Sequence, residues 1–343
     1  MRAMTLERLA PLRDQPSPLR PVILPDPVPA AGEILIRVGV CGICHTELDE
    51  VEGRMPPPRL PVIPGHQAVG RVEAIGPGVA GVRPGDRVGA SWIHSACGTC
   101  SSCRAGRENL CPDFRATGRD ADGGYAELMT IPAAFAIPIP EGIGDLEAAP
   151  LLCAGAIGWR SLQRSGHAPG KSLGLTGFGA SAHLVLQTVL AADPEAQVFV
   201  FARGEEQRRF ALSLGAAWAG DTLDSAPRPL DAVIDTTPAW TPVVEALRNL
   251  APGGRLVINA IRKERGDQEA LLRLDYPAHL WMEKEITSVA NVTRADVTEF
   301  LAFAGRARLR PVVRVYPLAE ANRALGDLKG GGHRGALVLR VAG

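Results

Sequence analysis

Hydrophobic and polar positions along this chain follow two rhythms in turn. From Glu33 the chain alternates, with Ile34, Ile36, Val38 and Val40 on one face and Leu35 and Arg37 on the other, which is the period-two pattern of a strand. Val69–Ile75, Asp86–Ala90 and Tyr125–Ile131 are further short β-branched runs separated by Gly-Pro turns such as Gly76-Pro77-Gly78 and Pro84-Gly85. Together they predict a small β-barrel. Seven prolines between Pro11 and Pro29 exclude a long helix from the first 32 residues and predict extended loop and edge strand there.

Near Lys171 the rhythm changes. The buried run Ser172–Thr176 leads into Gly177-Phe-Gly179-Ala-Ser-Ala182 and then a helical stretch, His183–Ala192. Strands Gln197–Phe201, Asp231–Asp235, Arg255–Asn259 and Ile286–Val292 follow, with helices Glu205–Leu214 and Thr241–Leu250 interleaved, and this alternation predicts a doubly wound parallel sheet. The glycines sit in the strand–turn–helix setting of a dinucleotide fingerprint, where the backbone approaches a pyrophosphate at a helix N-terminus. Strands Pro311–Val315 and Ala336–Val341, around helix Leu318–Leu328, are expected to pack back on the first part. The expectation is an α/β chain of two domains, residues 1–153 with 294–343, and residues 154–293.

Composition narrows the partners. With 343 residues, 37 basic and 37 acidic side chains and zero formal charge, nothing in the electrostatics favours nucleic acid or an anionic membrane. No apolar run reaches the roughly 18 residues of a spanning helix, and the N-terminus has no leader-like run, so a cytoplasmic protein is expected.

Four of the seven cysteines, Cys97, Cys100, Cys103 and Cys111, are spaced to converge on one tetrahedral ion. A closed soft-sulfur shell suits structural zinc. Disulfides would need an oxidising compartment, and Cys111 lies too far along for the fourth cysteine of a ferredoxin-type cluster motif. Cys44 ends one strand, His66 precedes another and Cys153 lies in the apolar run Ala149–Ala156; together they match a three-ligand zinc site with an open fourth position. Spacing alone leaves open whether Cys41 or Cys44 is the ligand.

Cys44-His45-Thr46 after a strand, Gly65-His66, the four-cysteine loop, Cys153 and the fingerprint at Gly177 together resemble the zinc-dependent medium-chain alcohol dehydrogenases, over nearly the whole chain. The resemblance implies a GroES-like catalytic domain, a Rossmann domain and two zinc ions per chain, with Cys44, His66 and Cys153 holding the catalytic one and Cys41 a bystander. It implies further that Thr46 takes the alcohol proton and that Glu47 orients the ligand histidine. Trp92 would line the substrate pocket. His45, Gly177, Gly179, Ala182 and Arg334 would contact the cofactor. The implied activity is hydride transfer between an alcohol, or its aldehyde or ketone, and a nicotinamide cofactor, in a homodimer or homotetramer often joined through the nucleotide domain's sheet edge. A polyol or sugar dehydrogenase and a non-catalytic cofactor-binding zinc protein are the rival readings.

Three residues depart from the family pattern. Asp49 stands where a relay histidine is common, Glu47 replaces aspartate, and Gln67 replaces the glutamate of Gly-His-Glu, removing a negative charge beside the metal and implying a more electrophilic zinc. Asp49 is a candidate proton acceptor, though a carboxylate with a reference pKa near 4 is a weaker base than imidazole. At the end of the second sheet strand, Ala202 replaces the acidic residue of NAD-specific fingerprints, and Arg203 follows it, with Arg208 and Arg209 near. NADP is therefore favoured over NAD.

Overall fold

A computed structural model describes residues 1–331 and 333–342; Gly332, in the segment carrying Arg334, and Gly343 lie outside them. The chain divides into two compact units, Met1–Ala156 with Val292–Gly343, and Ile157–Asn291. Among the described residues no helix is long and apolar enough to cross a membrane.

The first unit is organised by the strand Glu33–Ile43. It pairs antiparallel with Leu128–Pro132 and Ala68–Ile75, and its last residues pair with Ala336–Arg340. Ala68–Ile75 continues the sheet to Arg87–Ala90 and Ile137–Pro138, while Ala336–Arg340 pairs parallel with Val313–Pro317. Register shifts at Leu35/Ile36 and Val38/Val40 interrupt the ladder, and bulges of this kind bend a long strand. The inward side chains Ile34, Ile36 and Val38 join Met129, Ile131, Leu337 and Leu339 in one apolar core. Arg2–Leu6 and Leu19–Ile23 form the proline-edged antiparallel pair at the start of the chain.

Two helical segments were not apparent from periodicity. Asp145–Pro150 runs into a π-helical turn, Leu151–Gly155, so the apolar run around Cys153 is helical. Arg294–Ala307 is a 14-residue helix in the same unit, started by a capping box in which the Thr293 hydroxyl accepts from the Asp296 N–H and the Asp296 carboxylate accepts from the Thr293 N–H. The strand expected over 286–292 accordingly stops at Ser288, and Asn291, with φ 56°, turns the chain into this cap. Arg294 grips both oxygens of Glu108 and lies over the Phe135 ring, which fixes the four-cysteine loop to the helix start.

The second unit is a six-stranded parallel sheet in the order Trp218–Gly220, Val198–Phe201, Leu173–Thr176, Leu230–Asp235, Leu250–Ile258, Glu285–Ser288. Counted along the chain this is 3-2-1-4-5-6, the doubly wound order whose direction reverses beside the first strand. The inner strands are continuous apolar runs because helices cover both faces. The three-residue edge strand Trp218–Gly220 is too short to show a pattern.

A buried ion pair lies at the carboxyl ends of the two central strands. Asp235 is fully buried; its Oδ1 accepts from the Thr176 hydroxyl at 2.5 Å and the Thr237 hydroxyl at 2.8 Å, and its Oδ2 meets the Lys263 ammonium. Lys263 also donates to the carbonyls of Thr237 and Ala239. Removing one member strands a charge. Lys263→Met is therefore expected to destabilise the fold by about 3–5 kcal/mol, read as a lowered denaturant midpoint, with Lys263→Arg losing much less.

Candidate active site

The strand Glu33–Ile43 ends one residue before Cys44, which caps the short helix His45–Val51 with its own sulfur accepting the Thr46 N–H at 3.3 Å. Glu47 completes the capping box: its Oε2 accepts the Cys44 N–H at 2.9 Å. The same carboxylate reaches the second ligand position, because Oε1 lies 2.5 Å from His66 Nδ1 and 3.3 Å from the His66 N–H. Both side chains are fully buried. A carboxylate on Nδ1 orients the ring, and in a metal-binding neutral imidazole it would hold the proton there and leave the Nε2 lone pair for the ion.

Nε2 faces sulfur. His66 Nε2 is 3.8 Å from Cys44 Sγ, and the Cys153 sulfur, carried on the π-helical turn, completes a group whose donor atoms all lie within 4.8 Å of one another. Donors around tetrahedral zinc are about 3.5–3.8 Å apart, given bonds near 2.3 Å to sulfur and 2.0 Å to nitrogen. The contact with Cys153 and then burial push the Cys44 thiol well above its ordinary value. Donors that oppose one another's charge in this way are relieved by a cation, and two sulfurs with one imidazole suit zinc. Cys41 stays outside this group, buried in the core beneath Gly65 and Gly124.

Cys97, Cys100, Cys103 and Cys111 form the second donor group, with Cys97 Sγ 3.5 Å from Cys111 Sγ and 3.9 Å from Cys103 Sγ. All seven cysteines are free thiols. Backbone N–H groups of Thr99 and Cys100 directed at its sulfur bring Cys97 down to about 6, while burial and the neighbouring sulfurs push Cys103 up to about 12. Four sulfurs sharing so little space again fit a closed metal shell.

Trp92 packs against the three-donor group, its ring 5.5 Å from the His66 ring and 6.4 Å from that of Phe114. Thr46 is buried on the first helical turn, and His45 beside it is exposed. Asp49 is also buried, its Oδ1 accepting from Arg54 Nε at 2.6 Å. Arg54 reaches Glu52 as well, and Glu52 accepts from Lys329 at 2.5 Å and from the Leu12 N–H. This charge network around position 49 has no counterpart in the sequence reading.

In the second unit Gly177 adopts φ 76°, and a Cβ there would meet Thr236 and Thr237 at 2.9 Å, so only glycine fits. Gly179 caps the helix Ala180–Ala192 with open space around it, and Ala182 is buried against the sheet. Ala202 is buried and Arg203 exposed, with no carboxylate partner for Arg203 among the described residues. Arg208 is engaged elsewhere, donating to the Ala202 and Arg203 carbonyls and to Asp221, and Arg209 pairs with Glu205. Arg334, in the first unit, is exposed.

A barrel unit carrying one open and one closed donor group, together with a doubly wound parallel sheet, defines a zinc-dependent dehydrogenase. Residues 30–141 match the alcohol dehydrogenase GroES-like domain, and residues 214–339 the zinc-binding dehydrogenase domain. The chain belongs to the zinc-dependent medium-chain alcohol dehydrogenase family, oxidoreductases that act on CH–OH donors with a nicotinamide cofactor. It is 46% identical over 329 residues to a probable alcohol dehydrogenase, AdhA, of Mycobacterium tuberculosis, covering 94% of this chain and 93% of that one. An alcohol dehydrogenase of Geobacillus stearothermophilus is 33% identical, with 90% and 92% covered. Among solved structures, a cobalt- and zinc-bound thermostable alcohol dehydrogenase from Pyrobaculum aerophilum superimposes with a TM-score of 0.87 at 27% identity, covering 99% of both chains.

Glu47→Gln tests the orienting carboxylate. The amide can accept on only one side and must turn a donor toward either the His66 or the Cys44 N–H, and metal affinity at the three-donor group is expected to fall about 10–100-fold in chelator competition. Affinity at the four-cysteine group should be unchanged.

Proposed function

We propose that this alcohol dehydrogenase oxidises a primary or secondary alcohol, or reduces the matching aldehyde or ketone, with NADP as the preferred cofactor and two zinc ions per chain. The observation that carries the reading is the Cys44, His66 and Cys153 group, one donor short of a closed shell and walled by Trp92. The barrel unit is the catalytic domain and the parallel sheet the nucleotide domain. These three residues would hold the catalytic ion, and the four-cysteine group a structural one. Zinc supplies a Lewis acid that stabilises negative charge on the substrate oxygen, and the nicotinamide supplies the hydride acceptor.

The chain's own residues do the rest. Glu47 keeps His66 in its donating tautomer and position. Thr46 takes the alcohol proton at its hydroxyl, and Asp49, one turn further along the same helix, is the acceptor beyond it. Trp92 excludes water and shapes the pocket. Gly177, Gly179 and Ala182 let the pyrophosphate approach the helix N-terminus, and Arg334, a guanidinium, and His45, a ring N–H donor, are the further cofactor contacts proposed from the first unit. Assembly is proposed through the exposed edge strand Glu285–Ser288, beside which Tyr276, Trp281 and Met282 are more than half exposed.

Metal analysis is expected to give two zinc ions per chain, with a chelator abolishing activity by removing the three-donor ion first; one zinc in fully active protein would overturn the reading. For the cofactor, Ala202 removes the carboxylate that would repel a 2′-phosphate, and exposed Arg203 offers a guanidinium fork to it. NADPH is expected to exceed NADH in kcat/KM by about 10–100-fold, a preference that Arg203→Ala largely removes. An NADPH preference untouched by that substitution would assign the phosphate contact to another residue.

A further inference from the structure

Three acceptors surround one nitrogen of Arg208. Its Nη1 donates to the Ala202 carbonyl at 2.7 Å, to the Arg203 carbonyl at 2.9 Å and to Asp221 Oδ2 at 3.1 Å. An arginine on an exposed helix face ordinarily reaches solvent or pairs along its own helix, as Arg209 does with Glu205 four residues before it. Arg208 instead folds back from the helix Glu205–Ser213 over the chain that enters it, and its side chain is 24% exposed.

That stretch of chain is where an adenine ribose would be read. The Phe201 carbonyl accepts from the Gly177 N–H at 2.8 Å, so the end of the second strand is tied to the fingerprint turn. A carboxylate at such a strand end accepts from the ribose hydroxyls and repels a 2′-phosphate, and Ala202 has none. The fold brings one in from the side. Phe201 pairs in register with Gly220 on the edge strand, the Ala202 N–H donates to the Gly220 carbonyl at 2.9 Å, and Asp221 is the next residue. The contact with Arg208 meets that carboxylate with a positive charge. The other two contacts go to the carbonyls on either side of the Arg203 Cα. Peptide units are planar, so fixing both carbonyls sets the direction in which the Arg203 side chain leaves the backbone.

We infer that Arg208 is a positioning residue for cofactor choice: it aims the Arg203 side chain and neutralises the Asp221 carboxylate that the edge strand brings beside Ala202. The inference rests on the reading above that Arg203 takes the 2′-phosphate. The Arg208–Asp221 pair is partly exposed to water and contributes little to stability, so its loss leaves a folded chain.

The test is isothermal titration calorimetry of the full chain with adenosine 2′,5′-bisphosphate and with adenosine 5′-monophosphate, which differ by the 2′-phosphate alone and require neither zinc nor turnover. The native chain is expected to bind the bisphosphate about 10–100-fold more tightly than the monophosphate, a preference that Arg203→Ala removes. Arg208→Gln is expected to weaken the bisphosphate about tenfold and leave the monophosphate unchanged. Asp221→Asn alone should change neither, because its charge is already met, whereas Asp221→Asn added to Arg208→Gln should recover part of the loss, a coupling that only a direct interaction produces. Equal weakening of both ligands by Arg208→Gln, a native-like preference in that variant, or no recovery in the double variant would each overturn the inference. A native chain without the preference, or a preference untouched by Arg203→Ala, would instead overturn the phosphate reading on which the inference depends.

Discussion

One buried carboxylate holds together the donor group proposed for the catalytic metal. Glu47 accepts from the Cys44 and His66 backbones and faces the His66 ring, so it caps a helix and aligns two donor side chains 22 residues apart. Neither ligand is rigid by itself: Cys44 sits at a strand end, and His66 precedes the next strand. The carboxylate converts two chain ends into one fixed pair, to which the helical turn at Leu151–Gly155 adds Cys153. The Glu47 and His66 side chains are shielded from water, and in low dielectric their contact is stronger and its loss more costly.

What was legible in the sequence follows how local the causes are. The strands from Glu33 to Ile131 and the strand–turn–helix at Gly177 declare themselves through side-chain period and glycine placement, which neighbouring residues dictate. The four cysteines fall within one loop and were readable by spacing alone. The three-donor group was only half legible: spacing could not choose between Cys41 and Cys44, because what separates them is which face of the strand end each occupies. Cys44 ends in the donor group and Cys41 in the apolar core.

The rest was hidden for identifiable reasons. The helix Arg294–Ala307 carries a capping box at Thr293 and Asp296, a local signal that could have been found. The Asp235–Lys263 pair, the Arg54 contact with Asp49 and the isolation of Glu50 depend on partners brought together by tertiary folding, and no window of sequence contains them. Charged residues inside a fold read from sequence as surface residues. These are among the exceptions, together with Glu47, Glu108, Glu245 and Asp296.

The two donor groups also differ in how much chain each must close. Cys97 and Cys111 are 14 positions apart, whereas Cys44 and Cys153 are 109 apart. Loop-closure entropy rises with the logarithm of that span, a difference of about 2 kcal/mol between the groups. With an ion, the short loop would therefore need only its own residues to gather its sulfurs, whatever the state of the rest of the chain. The longer span has no such shortcut, because its ligands meet only after the central strand, its neighbours and the helical turn have all docked. An ion proposed at Cys44, His66 and Cys153 would thus be captured late in maturation, and its presence would mark a chain that has finished folding.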